Sequence, residues 1–143
     1  MPGSPIIPCL RYADPAAAID FLCGAFGFDH HAIYADPNDP TIILHAQLAL
    51  DDGMIMLGST RPAHAGDLYR WRTVREAGGV TGCIYMVVAD VDAHAERAER
   101  HGATILRYPH DNDGFPGRGY ETLDSEGNVW TFGSYDPWAA FTD

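Results

Sequence analysis

The sequence predicts an α+β fold in which one βαβββ unit occurs twice within a single chain of 143 residues. The first observation is that Asp14 and Asp90, 76 residues apart, each follow a strand-like segment and precede a helix-like one. The second is that the apolar segments MIMLGS and VWTFGS end at Ser59 and Ser134, 75 residues apart. Two pairs of positions with nearly the same spacing, one pair near each end of a unit, indicate an internal repeat.

Each predicted unit begins with a strand and a helix. The strand is predicted over 6–12 in the first unit and over 81–89 in the second. The carboxylates of Asp14 and Asp90 can cap the first N–H groups of each helix, and Pro15 suits the first helical position because it has no N–H. Apolar side chains at helical spacing then predict that each helix packs on a sheet by one face. They are Ile19, Leu22, Cys23 and Phe26 in the first unit and Val91, Ala95 and Ala98 in the second.

Three further strands are predicted after each helix. The segments DPNDP, LDDG, DNDGFPG and DSEGN separate them, and their Gly, Pro, Asn and Asp residues are typical of turns. The predicted strands cover 29–35, 41–50 and 54–58 in the first unit and 104–108, 119–123 and 128–133 in the second. We therefore predict one domain over 1–143, made of a first module over 5–59, a linker over 60–79, a second module over 80–136 and an aromatic tail over 137–143.

The two segments outside the modules have less regular patterns. The linker is polar, has no clear periodicity, and is compatible with one helical turn and with a position over one end of the site. Aromatic residues near the end of the chain, Tyr135, Trp138 and Phe141, are compatible with three roles: closing the core, lining the mouth of a pocket or contacting a second subunit.

Composition and charge narrow the class of protein. With 46% apolar and 20% charged residues, the chain is typical of globular proteins, and no apolar run is long enough to cross a bilayer. Twenty acidic against nine basic residues give a net charge of −11, which disfavours nucleic acid and attracts cationic small molecules. The N-terminus lacks a signal-peptide pattern, and the three cysteines lack the spacing of a zinc or redox motif. These features predict a cytoplasmic protein with free thiols.

The repeat, together with VADVDA before the second helix and LDSEGNVWTFGSY at the last strand, resembles the vicinal oxygen chelate superfamily. That superfamily includes glyoxalases, extradiol dioxygenases and bleomycin-resistance proteins, and the resemblance covers 6–137. It implies two curved mixed sheets around a cup-shaped cavity, and a homodimer by analogy with many relatives. It also implies that an enzyme of this kind holds a divalent metal on the first and last strands of each half, commonly through His, Gln and Glu, and uses it as a Lewis acid.

At the positions that the resemblance assigns to metal ligands, this chain carries Ile7, Met56, Cys83 and Thr131. These side chains do not supply the imidazole and carboxylate groups that such ions prefer. A shift of one residue in either direction brings no ligand type to any of the four positions. No metal cofactor is therefore predicted.

Strand alternation predicts which residues line the cup. In the segment 41–50 it directs Leu44, Ala46, Leu48 and Leu50 toward the helix. His45 and Gln47 then face the cavity, where they are either ligand-binding groups, with His45 a possible general base, or simply solvated polar residues. The repeat offset carries these two positions to Tyr120 and Thr122.

The second module is interpreted with the same offset. Arg118, Tyr120 and Thr122 are predicted to share its cup face, Glu121 to point away, and His94 and His101 to lie on the solvent side of their helix. The complete predicted lining is Cys9, His45, Gln47, Met56, Cys83, Tyr85, Arg118, Tyr120 and Thr131.

This mixed apolar, aromatic and polar lining suits an organic ligand of drug size. We therefore predict a metal-independent binding protein of the bleomycin-resistance kind, which sequesters a cationic aromatic compound. The alternative is a metal-dependent lyase, isomerase or dioxygenase that acts on a substrate with vicinal oxygens. A third reading is that the pocket is regulatory or vestigial, and no catalytic residue is assigned.

Overall fold

The computed structural model describes residues 3–60 and 68–139, and it has an α+β architecture with two four-stranded sheets. The first half contains β1 (Cys9–Tyr12), α1 (Pro15–Phe26), β2 (Asp29–Asp36), β3 (Asp39–Leu50) and β4 (Gly53–Ser59). After α2 (Val74–Ala77), the second half contains β5 (Cys83–Val87), α3 (Val91–Arg100), β6 (Thr104–Asp111), β7 (Arg118–Leu123) and β8 (Val129–Gly133). The predicted repetition of βαβββ is confirmed.

Both sheets have the same strand order. It is β1-β4-β3-β2 in the first half and β5-β8-β7-β6 in the second. The first strand of each half pairs in parallel with the last strand, and the other neighbours are antiparallel, so that both sheets are mixed. Among the described residues, no strand of one sheet pairs with a strand of the other, and the two sheets do not close into a barrel.

The two long helices begin as the sequence predicts. The side chain of Asp14 accepts a hydrogen bond from the backbone N–H of Ala17 at 3.1 Å, and Asp90 accepts one from Ala93 at 3.0 Å. Helix α1 ends at Gly27, whose φ of 87° is favourable for glycine. Most of the predicted apolar stripes are buried, namely Ile19, Leu22 and Phe26 in α1 and Val91, Ala95 and Ala98 in α3, whereas Cys23 is half-buried.

One hydrophobic core is shared by the two halves. Phe26, in the last turn of α1, packs on aromatic rings of β8: its centroid lies 5.4 Å from that of Trp130 and 4.8 Å from that of Phe132. Tyr120 of β7 is fully buried and stacks on Phe132. The helix of the first half therefore helps to cover the sheet of the second half, and the halves fold as one unit.

The DSEGN turn between β7 and β8 connects the halves through hydrogen bonds. The buried carboxylate of Asp124 accepts one from the Tyr12 hydroxyl at 2.7 Å and one from the Trp130 indole at 3.1 Å. The Glu126 carboxylate accepts bonds from the backbone N–H groups of Ala13 and Asp14, both at 2.8 Å. The turn of the second half thereby holds the segment that leads into α1.

Two further segments lie partly outside the described residues. Within the predicted linker, α2 is the one helical turn, and Thr73 and Glu76 form a capping box at its start. Just before the tail, Tyr135 packs edge-on against Phe115; in the tail, Trp138 is 85% exposed, and the predicted role of Phe141 lies outside the described residues. No helix among the described residues has the length and apolar character needed to cross a membrane.

Candidate functional site

Each sheet has one face covered by a helix and one face without a helix, which we call the open face. Across the first sheet, Cys9, Met56 and Gln47 are directly paired, while their chain neighbours Leu57 and Ala46 are buried on the helix side. The residues of the predicted lining that lie on the open faces are Cys9, His45, Gln47 and Met56 in the first half and Cys83, Tyr85 and Thr131 in the second.

The polar residues of β3 contact one another. The amide nitrogen of Gln47 lies 3.0 Å from Nε2 of His45, and the His45 ring stacks on Tyr34 with centroids 5.9 Å apart. Both side chains are half-buried. An imidazole and an amide held together on an open face can offer a ligand both hydrogen-bond donors and acceptors.

A β-bulge between β2 and β3 changes which side chains of β3 face the helix, so one part of the predicted alternation is wrong. Tyr34 pairs with His45, but the next residue of β2, Ala35, pairs with Ile43, so Leu44 is an extra residue. The prediction that Leu44 packs toward the helix is therefore wrong, because Leu44 is 47% exposed and Ile43 is buried in its place.

The prediction that Tyr120 and Thr122 line the cup is also wrong. Both side chains are fully buried on the helix side of β7, where the Thr122 hydroxyl donates to the carbonyl of Thr104 at 2.8 Å. Arg118 does not reach the open face either. Its guanidinium binds Asp92 of α3 and Asp111 of β6, each at 2.9 Å.

The cause of this error is the length of one turn. Four residues separate the paired Ala49 and Met54, whereas five separate the equivalent pair Leu123 and Val129. The extra residue changes the offset in β7 to 74, so that Gln47 corresponds to Glu121, and the β7 side chains that were assigned with the offset of 75 lie on the opposite face. Comparison of the lengths of LDDG and DSEGN could have revealed this.

Glu121 is the functional candidate that sequence reasoning missed. It is paired with Thr131 and therefore belongs to the open face of the second sheet. Its Oε2 atom is buried and has no hydrogen-bond partner among the described residues. A buried carboxylate oxygen without a donor is unfavourable in an empty site and would be satisfied by a ligand that donates a hydrogen bond.

His94 differs from its prediction as well. Instead of facing solvent, its ring is half-buried between α3 and β7, with Nε2 at 2.8 Å from the carbonyl oxygen of Phe26. Burial lowers the pKa of this imidazole below its ordinary value. His94 belongs to the core and not to an open face, so it is a structural group.

A cavity of about 520 Å³ lies where β1 and β5, the edge strands of the two sheets, approach each other, and we call it the seam cavity. Its wall is formed by Cys9, Leu10 and Arg11 of β1 and by Cys83 and Ile84 of β5. The described part of the predicted linker contributes residues 69–74, 77 and 79 to the wall, and residues 80–82 at the start of the second module continue it. The seam cavity therefore lies between the repeats and the segment that joins them.

Aromatic and cationic groups meet in this cavity. The guanidinium carbon of Arg11 lies 5.5 Å from the ring centroid of Trp71, and the centroids of Tyr69 and Trp71 are 5.6 Å apart. Arg11 also donates to the carbonyl of Ser59 at 3.4 Å. The side chain of Arg11 lies flat against Gly58, where a Cβ atom would collide with the guanidinium.

The second half has an equivalent arrangement. Tyr85 of β5 lies flat against Gly133 of β8, and a Cβ atom there would lie 2.5 Å from the tyrosine hydroxyl. That hydroxyl donates to the carbonyl of Tyr135 at 2.6 Å, which fixes the ring on the open face. Burial of this ring raises the pKa of the Tyr85 hydroxyl, so Tyr85 is neutral near pH 7.

The open faces do not provide the usual metal-binding chemistry at the predicted ligand positions. Met56 lies beside Cys9 and Gln47, and Thr131 lies beside Tyr85 and Glu121. Around these two positions the donors are a thioether, thiol, amide and hydroxyl groups and one carboxylate. No three His, Cys, Asp or Glu side chains of the described residues are close enough together to hold one ion. The residues present therefore do not fit the divalent metal of the enzymes.

Comparison with known proteins gives matches over most of the chain. Residues 7–132 match the family model for the Glyoxalase/Bleomycin resistance protein/Dioxygenase superfamily. An uncharacterized protein of Mycobacterium bovis is 33% identical over 99 residues, which are 69% of this chain and 62% of that protein. The same identity and length apply to an uncharacterized protein of Mycobacterium tuberculosis, of which 56% is covered. The match thus spans less than two thirds of these relatives.

Solved structures agree with this result. TioX from Micromonospora sp. ML1 is 29% identical with a TM-score of 0.65, and the match covers 91% of this chain and 94% of that one. UcmS2 has a TM-score of 0.67 at 15% identity, with 92% and 99% of the two chains covered. Glyoxalase I from Zea mays has a TM-score of 0.68 at 17% identity, and the match covers 89% of this chain and 43% of the maize enzyme.

Proposed function

Because the chain belongs to the Glyoxalase/Bleomycin resistance protein/Dioxygenase superfamily, we propose that it is a metal-independent small-molecule binding protein that sequesters an aromatic compound. The observation that carries this proposal is the seam cavity, whose volume of about 520 Å³ lies in the range of organic ligand sites, roughly 300–1,000 Å³. Trp71 and Tyr69 provide aromatic surface in its wall. Stacking on such rings favours a planar ligand.

The side chains at the ligand positions of the metal enzymes support the same proposal. Met56 and Thr131 offer a thioether and a neutral hydroxyl, which are poor ligands for Mg²⁺, Mn²⁺ or Zn²⁺ in comparison with carboxylate and imidazole. Without a strong Lewis acid, the enolate-type or dioxygen chemistry of the enzymes has no electrophilic centre. Binding alone needs no such centre.

A metal-dependent lyase, isomerase or dioxygenase is the second candidate, and Glu121 is the observation that favours it. Its carboxylate is adjacent to Thr131, one of the positions that would face a metal. It has a buried oxygen without a partner, which an ion or a substrate proton could occupy. If this candidate is correct, Glu121 is the group whose removal matters most.

Thermal melting of chelator-treated protein separates the two candidates. Mg²⁺, Mn²⁺, Fe²⁺, Co²⁺, Ni²⁺ and Zn²⁺ are added singly, and binding at about 100 times the dissociation constant would stabilise the fold by roughly 2.7 kcal/mol. We expect no increase in Tm with any ion. An increase that is lost in Glu121→Gln or His45→Ala, but kept in the exposed control Glu96→Gln, would refute metal independence and support the enzyme.

We also propose that the protein is a cytoplasmic homodimer. Several large apolar side chains are exposed on the described surface, among them Tyr34, Leu44, Leu106, Tyr108 and Trp138. A second copy of the chain could cover such side chains, in the manner of homodimer interfaces. Light scattering at micromolar concentration should give twice the chain mass of 15.6 kDa. A mass of one chain at every concentration would exclude the dimer.

A further inference from the structure

The charge of the seam cavity is opposite to that of the whole protein. Three of the nine arginines, Arg11, Arg70 and Arg72, belong to its wall, and none of the twenty acidic residues is among the described residues that line it. The protein as a whole carries a net charge of −11. The charged side chains in the described wall of the cavity are therefore all cationic, although the protein as a whole is negatively charged.

We propose that the seam cavity binds an aromatic anion, a planar ring that carries a carboxylate or a phosphate group. This inference rests on the proposed binding function and assigns the chemical class of its ligand. It differs from the expectation based on net charge, which favours a cation. At contact distance the nearest charges dominate, because more distant charges are screened over roughly 8–10 Å at physiological salt.

The geometry of Arg11 supports recognition of an anion. Its guanidinium has five N–H donors, and the described contacts use one of them, on the carbonyl of Ser59 at 3.4 Å. No acidic side chain of the described residues forms an ion pair with it. Contact with the Trp71 face and with Gly58 holds the guanidinium in place, so that the remaining donors can bind a planar anionic group in a bidentate manner.

The same contacts define the place of the ring. Trp71 and Tyr69 present aromatic rings in the wall of the cavity, and Cys9 and Cys83 provide small, polarisable groups in the same wall. Because Arg11 lies over the indole of Trp71, a ligand ring would stack on the aromatic surface of Trp71 and Tyr69 that Arg11 leaves uncovered, with its anionic substituent toward the guanidinium. Arg72 is a second cation of this wall. The cavity thus combines an aromatic platform with cations at its edge.

Calorimetric titration of the chelator-treated full chain tests this inference. The probes are 1-naphthoate, 1-naphthyl phosphate, 1-naphthylmethylammonium and acetate, which separate the effects of ring, charge sign and type of anion. We expect at least one naphthyl anion to bind about tenfold or more tightly than the ammonium and than acetate, with weaker binding at high salt. The anion that binds more tightly shows whether the cavity prefers a carboxylate or a phosphate group.

Variants locate the binding. Arg11→Gln and Arg72→Gln should each weaken binding of the preferred anion about tenfold, and Arg11→Lys should weaken it less, since the charge is kept. Arg75→Gln, in α2 but outside the cavity wall, is the matched control and should bind as the parent does. Equal Tm values would show that the variants fold.

Three results would overturn the inference. The first is that neither naphthyl anion binds, the second is that the ammonium binds as tightly as the better anion, and the third is that Arg11→Gln leaves anion binding unchanged. Tight binding of the ammonium by metal-free protein would refute the proposal that the ligand is an anion, while the proposed binding function would stand. Failure of the proposed function would be seen separately, as an ion-dependent increase in Tm.

Discussion

Nδ1 of His94 lies 2.5 Å from the hydroxyl oxygen of Tyr120, so that α3 and β7 are joined by a hydrogen bond inside the core. The other ring nitrogen, Nε2, lies 2.8 Å from the carbonyl oxygen of Phe26. A carbonyl only accepts hydrogen bonds, so Nε2 carries a proton. Burial lowers the pKa of this imidazole, which favours a neutral ring whose Nδ1 accepts from the tyrosine hydroxyl. The ring is therefore neutral, and it connects α1, α3 and β7 through a single side chain.

This arrangement predicts a pH-dependent contribution to stability. Burial lowers the pKa of His94 in the folded protein. As the pH falls through about 6.5, the unfolded chain takes up a proton that the folded protein does not, and the contribution of neutral His94 declines. We expect His94→Gln to cost about 2 kcal/mol at pH 7.5 and less at pH 5.5, as measured by urea unfolding. The exposed control is His30→Gln, and an equal cost at both pH values would contradict the prediction.

The hydrogen bond between Tyr12 and Asp124 predicts that the two halves depend on each other for stability. Asp124→Asn replaces a buried carboxylate that accepts from Tyr12 and Trp130, and we expect a loss of about 3 kcal/mol in the free energy of unfolding. Tyr12→Phe should cost about 1 kcal/mol, and the double variant less than the sum. Chemical denaturation measures all three. Additive effects, or an equal loss in the exposed control Asp113→Asn, would argue against this coupling.

We predict that substitution of Glu121 by glutamine increases the stability of the protein. Because its buried Oε2 has no partner in the described structure, removal of the negative charge in Glu121→Gln should raise the free energy of unfolding by about 1 kcal/mol. Gains of this kind are expected where a residue serves a site and not the fold. Urea unfolding beside the exposed control Glu96→Gln measures the effect. A loss of stability would mean that the carboxylate is satisfied in solution.

The rate at which the cysteine thiols react with a label gives a second measure of ligand binding. Cys9 and Cys83 are exposed and belong to the wall of the seam cavity, whereas Cys23 is half-buried in α1. Burial raises the pKa of the Cys23 thiol, so less of its reactive thiolate is present at pH 8. Mass spectrometry after labelling with a maleimide should show slower reaction at Cys23. The preferred naphthyl anion should protect Cys9 and Cys83, and unprotected labelling at saturation would place the ligand elsewhere.

Local signals in the sequence were sufficient to predict the architecture. An Asp before each helix, apolar residues at helical spacing and turn residues between strands act over short distances, and the structure follows them closely. The repeat then related the two halves without knowledge of any long-range contact. The fold class could be predicted for this reason.

The side chains that face outward at the site could not be predicted correctly, because they are determined by insertions of a single residue. The bulge at Leu44 and the longer turn before Val129 each change which side chains face outward, and neither alters the apolar pattern enough to be recognised by alternation alone. His94 was misplaced because its neighbours in sequence are charged, although its ring fills a gap between α3 and the aromatic core. Two of the three arginines of the seam cavity, Arg70 and Arg72, lie in the segment without periodicity, for which no face could be predicted.

Gly58 and Gly133 are the second-last residues of the two segments that reveal the repeat, and each supports a long side chain from the neighbouring edge strand. A methyl group at Gly58 would displace Arg11, and one at Gly133 would displace Tyr85. Equivalent glycines of the two halves thus carry different chemical groups, a cation from the directly paired residue in one half and a phenol from two residues earlier in the other. Because backbone atoms form the pairing of the first and last strand in each half, the sheet does not depend on which side chain lies on the glycine.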